Sequence, residues 1–205
     1  MAATVSGATR PEALAREAPA GRPTAWWGMV LFIVTEATLF ASLFVAYFYL
    51  RFRAAPEWPL GGIETPKLAK PLVMTALLLP SSLPVIWADR AIRKGQIARL
   101  RIGLATTIVM GLGFLALFTS EYAEKLPKFT PRTNVYGSLF YAITGFHGFH
   151  VTVGLLILGW LLVGSLRGHY DERRHLRVQL GAMYWHFVDL IWVAIMLIVY
   201  IGPHL

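Results

Sequence analysis

The sequence predicts an all-α integral membrane protein, a bundle of five transmembrane helices. Three observations predict it. First, 56% of the 205 residues are hydrophobic and only 15% are charged, with mean hydropathy +0.56, whereas a soluble domain carries about a quarter charged residues. Second, the apolar residues gather into runs long enough to cross a hydrocarbon core of about 30 Å, which takes about 20 residues of helix. Third, the charges collect between those runs. Cysteine is absent, which excludes disulfides, thiolate metal sites and cysteine nucleophiles.

Residues 1–25 are rich in Ala, Pro, Gly and Arg and hold no apolar run. Such a composition cannot bury enough to order itself, so a flexible cytoplasmic tail is expected there, followed by the membrane domain over 26–205. The first span, 26–50, is too long for a signal core and no small-residue cleavage site ends it. Trp26, Trp27, Tyr47 and Tyr49 flank it as interfacial anchors would. The second, 71–88, is short and contains Pro80 and Pro84 around Ser81 and Ser82. A kink is expected there, with the serines or neighbouring helices satisfying freed carbonyls. The third, 102–120, leads into Glu121, Tyr122 and Glu124, read as a solvated cap. The fourth, 136–166, exceeds one crossing and should tilt or project from the bilayer. The fifth is 181–201.

Orientation follows from Lys and Arg, which supply the net charge of +8. The N-terminal tail and the second and fourth loops hold 12 of the 19 basic residues, and the opposite side holds 7. Positive-inside reasoning places the N-terminus in the cytoplasm (or matrix) and the C-terminus outside. The excess base is thus topology, and no nucleic-acid partner is expected.

Of 11 acidic residues, only Glu36 and Asp189 lie well inside spans, joined by His147, His150 and His186. A charge at the bilayer centre costs at least a few kcal/mol, so each group needs a partner, a cavity or a proton. Ala37, Thr38, Ala41, Ser42 and Ala46 lie near Glu36 and would permit close helix approach. Glu36 reads either as a proton-exchanging or lipid-facing acid, or as a neutral acid bonded to a neighbouring helix. His147 and His150, three apart, should share nearly one face beside Gly145 and Gly148. His186 and Asp189, also three apart, suggest an imidazole–carboxylate pair serving as bundle glue. Two histidines can begin a metal site, but it would need ligands from other helices, and no metal is expected in this chain. His150 and His186 could ligate one heme iron axially; a complete oxygen-reducing centre needs more imidazoles than three. There is no repeat between halves and no matched pair of broken helices, which argues against a secondary transporter.

Several segments resemble one family, subunit III of the heme-copper cytochrome c and quinol oxidases. They are the first span from Trp27 to Phe40 with Glu36 in Thr35-Glu36-Ala37-Thr38; Ser120-Glu121-Tyr122; Tyr136-Gly137-Ser138 followed by Thr144-Gly145-Phe146-His147-Gly148-Phe149-His150-Val151; and Tyr184-Trp185-His186-Phe187-Val188-Asp189. They fall in family order. The resemblance implies a non-catalytic chain with no redox cofactor of its own, packed beside a catalytic subunit I that carries the hemes and one copper. Subunit II and a small subunit IV are implied in the same complex, with cytochrome c as its electron donor. The resemblance further implies bound phospholipid and a role in sustaining proton uptake and turnover in a proton-pumping oxidase of the bacterial inner membrane. Glu36, His147, His150, His186 and Asp189 match intramembrane polar positions of the family, structural and lipid-associated rather than catalytic. Longer members have seven spans and this chain begins at the third, so helices of another subunit, or an extension of the catalytic subunit, are expected to fill the place of the first two. A quinol oxidase subunit, or a related protein associated with nitric oxide reduction, shares these motifs. A small b-type membrane cytochrome is the reading from a different class.

Overall fold

A computed structural model describes residues 21–54 and 57–205. The tail expected over 1–25 lies outside the described residues as far as residue 20. Among the described residues the chain is helical throughout, with no strand. Five helical stretches are long and apolar enough to cross a membrane: Thr24–Ala54, Ala69–Ile92, Ile97–Lys125, Val135–Leu166 and Leu176–His204.

Helix α1 (Thr24–Ala54) buries only Phe40 and Tyr47 fully and packs on α5 and α6. Tyr47 is no interfacial anchor. It is buried and accepts a hydrogen bond from the Trp58 indole at 3.1 Å, while Trp27 and Tyr49 remain exposed. Ala37 and Ala46 face inward, but Thr38, Ala41 and Ser42 lie on the outer face. There the two hydroxyls donate to Val34 and Leu39 carbonyls of their own helix.

The second span is two helices, α2 (Ala69–Leu78) and α3 (Ser82–Ile92), joined by a 3-10 turn over Leu79–Ser81. Pro80 and Pro84 have no N–H, so the regular ladder cannot run through. Ser81 donates to the Leu78 carbonyl at 2.5 Å, and Thr107 of the next helix reaches the Ser81 carbonyl at 3.3 Å. Helices α4 (Ile97–Lys125) and α5 (Val135–Leu166) follow, and α6 (Leu176–Ile195) continues through a π-helical stretch over Met196–Ile201. With 32 residues, α5 is about 48 Å long at 1.5 Å per residue, well beyond one hydrocarbon thickness.

The core is centred on Trp185 of α6. A Cβ at Gly111 of α4 would lie 2.7 Å from its ring, and one at Gly154 of α5 2.9 Å from it. Glycine at both positions opens the slot that the indole fills. Its Nε1 then donates to Ser81 Oγ at 2.9 Å. Two turns further on, Trp192 Nε1 donates to Thr75 Oγ1 at 2.9 Å. Both tryptophans therefore tie α6 to the proline-broken span, where spare polar groups are available.

Candidate functional site

The five intramembrane polar residues divide among three places. Glu36 of α1 meets His150 of α5, with Oε2 3.0 Å from Nε2. The other ring nitrogen, Nδ1, lies 2.7 Å from the Phe146 carbonyl. A carbonyl only accepts, so Nδ1 carries a hydrogen. The contact at Nε2 then needs one further proton, held either by a neutral Glu36 donating to the ring or by an imidazolium facing a carboxylate. In both forms the pair is neutral overall, which lets it sit inside a span. The His150 ring is edged by Phe40 at 5.2 Å and Phe187 at 6.2 Å. Its side chain is 7% exposed against 22% for Glu36, so the acid is the side open to whatever borders α1.

His147 does not share that environment. It is fully buried, stacks on Trp192 at 5.2 Å and meets Phe114 edge-on at 5.8 Å. Neither of its ring nitrogens has a hydrogen-bond partner among the described residues. Three residues on a helix leave a 60° offset, and at a bundle centre that is enough to send two side chains to different neighbours. His147 turns to α4 and α6, and His150 to α1. Gly148 admits the Phe118 ring, which a Cβ would meet at 2.7 Å.

His186 and Asp189 do not bond to each other directly. Ser82 of α3 stands between them, its Oγ 2.9 Å from His186 Nδ1 and donating to Asp189 Oδ2. A serine hydroxyl has one hydrogen, so while it donates to Asp189 it accepts from the imidazole. Asp189 Oδ1 is buried with no partner among the described residues. The sequence marked Ser82 only as part of a kink. Proline on either side exposes it, and only the folded bundle brings α6 against it.

Glu121 is also placed otherwise than expected. It is 4% exposed and pairs with Lys125 at 3.2 Å, whose ammonium lies 4.7 Å from the Phe140 ring centre. Tyr122 bonds Thr144 of α5 at 2.7 Å, and only Glu124 is a solvated residue, paired with Lys70. Charges at the end of a span look solvated in sequence. Here Lys125, held against the Phe140 and Tyr200 rings, turns back to Glu121 and closes it off.

Among the described residues no group of three or more His, Cys, Asp or Glu is arranged to hold a metal ion. Axial ligation of a heme by His150 would displace Glu36 from Nε2, because its other nitrogen is already occupied.

Fold and polar inventory together define a helical membrane protein whose few ionisable groups are held in pairs or packed among aromatic rings. The model of the family described as Cytochrome c oxidase subunit III matches residues 16–203. Cytochrome c oxidase subunit 3 of Drosophila yakuba is 37% identical over 179 residues, covering 85% of this chain and 68% of that protein. The proteins of the same name from Oryctolagus cuniculus and Cyprinus carpio are 36% and 38% identical, with the same shares covered. The chain belongs to the cytochrome c oxidase subunit III family, and is thus a membrane subunit of an oxidoreductase complex.

Proposed function

We propose that the chain is the non-catalytic subunit of a proton-pumping heme-copper terminal oxidase that passes electrons from cytochrome c to oxygen. It packs beside the catalytic subunit I, which carries the hemes and one copper, with subunit II and a small subunit IV in the same complex. The setting is a bacterial inner membrane, with the N-terminus cytoplasmic and the C-terminus periplasmic. The chain holds no redox centre, binds phospholipid and supports proton uptake and stable turnover.

The observation that carries this reading is the Glu36–His150 pair. It holds one exchangeable proton at the edge of α1, a helix whose most apolar window is only 6% buried. An apolar helix this exposed must be covered by lipid or by a partner, and the acid sits where that cover meets the bundle. The proton can pass between Glu36 Oε2 and His150 Nε2 while the pair stays neutral.

Affinity purification of the chain from its membrane in mild detergent tests the assignment. A large heme-bearing subunit and a copper-bearing subunit are expected to copurify, with the heme spectrum following those partners. A Soret band on the isolated chain would overturn the non-redox assignment. Oxidation of quinol but not of reduced cytochrome c by the intact complex would move it to the quinol oxidases.

A further inference from the structure

Much of the outer surface of the bundle is apolar, and exposed Leu31, Val45, Val109 and Leu156 are typical of it. The seam between α3 and α6 breaks that pattern. His186 lies on the outward side of α6, between Met183 and exposed Leu190, and is itself only partly buried. Across the seam stands Ser82 of α3, also partly buried, beside exposed Leu83. Ser82 is ten residues before the end of its span at Ile92, and His186 is ten residues after the start of its span at Leu176. At 1.5 Å per residue both lie about 15 Å from the same end of the bundle. That is well inside a hydrocarbon core of about 30 Å, where lipid offers no hydrogen-bonding group.

The proton count fixes what His186 presents to the outside. Ser82 donates to Asp189 Oδ2, and its Oγ lies 2.9 Å from His186 Nδ1. Net charge at this depth is costly, so the three side chains together are neutral. Two arrangements achieve that with both bonds made. In one, an imidazolium donates through Nδ1 to Ser82, which donates to the Asp189 carboxylate. In the other, a neutral Asp189 donates to Ser82, which donates to Nδ1 of a neutral ring. A third puts the acid proton on Asp189 Oδ1, which is buried without a partner among the described residues, and is costly for that reason. In both favourable arrangements Nε2 carries a hydrogen. That hydrogen has no acceptor among the described residues. Nε2 makes no bond there and is not enclosed, and Asp89, two turns along α3, is held by Arg93 at 2.8 Å. His150, by contrast, has both ring nitrogens engaged.

We infer that the α3–α6 seam is where a transmembrane helix of another subunit docks, presenting a hydrogen-bond acceptor to His186 Nε2 at mid-depth. Leu83, Met183 and Leu190 surround that point with apolar side chains, so the partner helix packs around a single polar contact. Lipid chains leave the donor unsatisfied at this depth, whereas a side-chain carboxylate, amide oxygen or hydroxyl on a facing helix satisfies it. The inference rests on the proposed membership of an oxidase complex and names the surface through which the chain joins it.

The test uses the chain in its assembled complex in native membranes. The photoreactive residue p-benzoylphenylalanine replaces Leu83 or Leu190 at the seam, or Val109 on the outer face of α4; all three are exposed, so the fold should tolerate each. After irradiation, mass spectrometry is expected to find the two seam positions joined to a transmembrane segment of a copurifying subunit, with an acceptor side chain within one helical turn of the attachment. Val109 should give chiefly lipid adducts. His186→Leu removes the donor and should cut the protein adduct at Leu190 by about three- to tenfold, the scale of one interhelical hydrogen bond in a membrane. His186→Gln, which keeps an N–H donor, should restore part of it. Should His186→Leu fail to assemble, the cross-links made with His186 intact decide. Chiefly lipid adducts at both seam positions, in a complex that still copurifies, overturn the docking surface and leave the proposed function standing. Failure of any subunit to copurify with the parent chain overturns the proposed function itself. An attached segment without an acceptor, adducts to a second copy of this chain, or protein adducts as frequent at Val109 as at Leu190 overturn the seam. So does an undiminished Leu190 adduct in an assembled His186→Leu complex.

Discussion

At the scale of single residues, the Glu36–His150 contact separates proton-holding from catalysis. Glu36→Gln keeps a donor for His150 Nε2, so the helix contact survives while the exchangeable acid is lost. The assembled variant should keep its full heme content and its initial oxygen-reduction rate within about threefold, with a mild loss in sustained turnover or pumping. Removing a true general acid typically costs about 10²–10⁴-fold. Complete loss of oxygen reduction in an assembled Glu36→Gln complex would make Glu36 catalytic. A second residue answers to pH. Asp171, in the loop between α5 and α6, accepts from the Arg173 and Arg174 amides at 2.9 and 2.8 Å and from Arg174 Nε at 2.8 Å. The Arg174 side chain holds its carboxyl below the usual carboxylate range. A depressed carboxyl contributes order above its unfolded value, about 3.9, and loses it as pH falls through the folded one. Hydrogen-exchange protection at these two amides should therefore hold from neutral pH to about 5 and fall only below about 4. Asp171→Ala should remove it at the Arg173 amide at every pH, while the Arg174 amide keeps its bond to the Asp171 backbone carbonyl at 3.1 Å.

At the scale of elements, the two glycines around Trp185 give opposite expectations from glycines that touch nothing. Gly111→Ala or Gly154→Ala drives a methyl to within 3 Å of the indole and should destabilise by about 1–3 kcal/mol, the usual cost of overpacking. Gly159→Ala meets nothing within 4 Å. It should be neutral or stabilise by up to about 1 kcal/mol, because Ala is the better helix former. Thermal unfolding of the purified protein in one detergent, read by circular dichroism, compares all three. Helix existence was legible in the sequence because span length and apolar runs are local properties. The partners of the polar residues were not. Spacing of three suggested that His147 and His150 shared a face and that His186 met Asp189. The actual partners, Glu36, Trp192 and Ser82, come from other helices that no local pattern specifies. Tyr47 and Glu121 misled for the same reason: segments distant in sequence cover them. Glu36, Asp189 and the histidines could still be found, because ionisable groups inside apolar runs are rare enough to stand out by composition alone.

For the whole molecule, the unequal loop charges make orientation a testable property of the full chain. The α3–α4 loop carries Arg93 and Lys94, with Arg99 in the first turn of α4, whereas the α4–α5 loop carries Lys128 and Arg132. Lys and Arg near span ends resist translocation, and the side with more of them stays in the cytoplasm. The protein contains no cysteine, so a single introduced thiol reports one position without background. Lys94 and Arg132 are both exposed and lie at opposite ends of the bundle, so a cysteine at either should leave the packing undisturbed. In intact cells or sealed right-side-out vesicles, a membrane-impermeant maleimide should label Arg132→Cys at once. It should label Lys94→Cys only after the membrane is opened. The reverse pattern would invert the bundle and put α6 and its C-terminal turn on the cytoplasmic face.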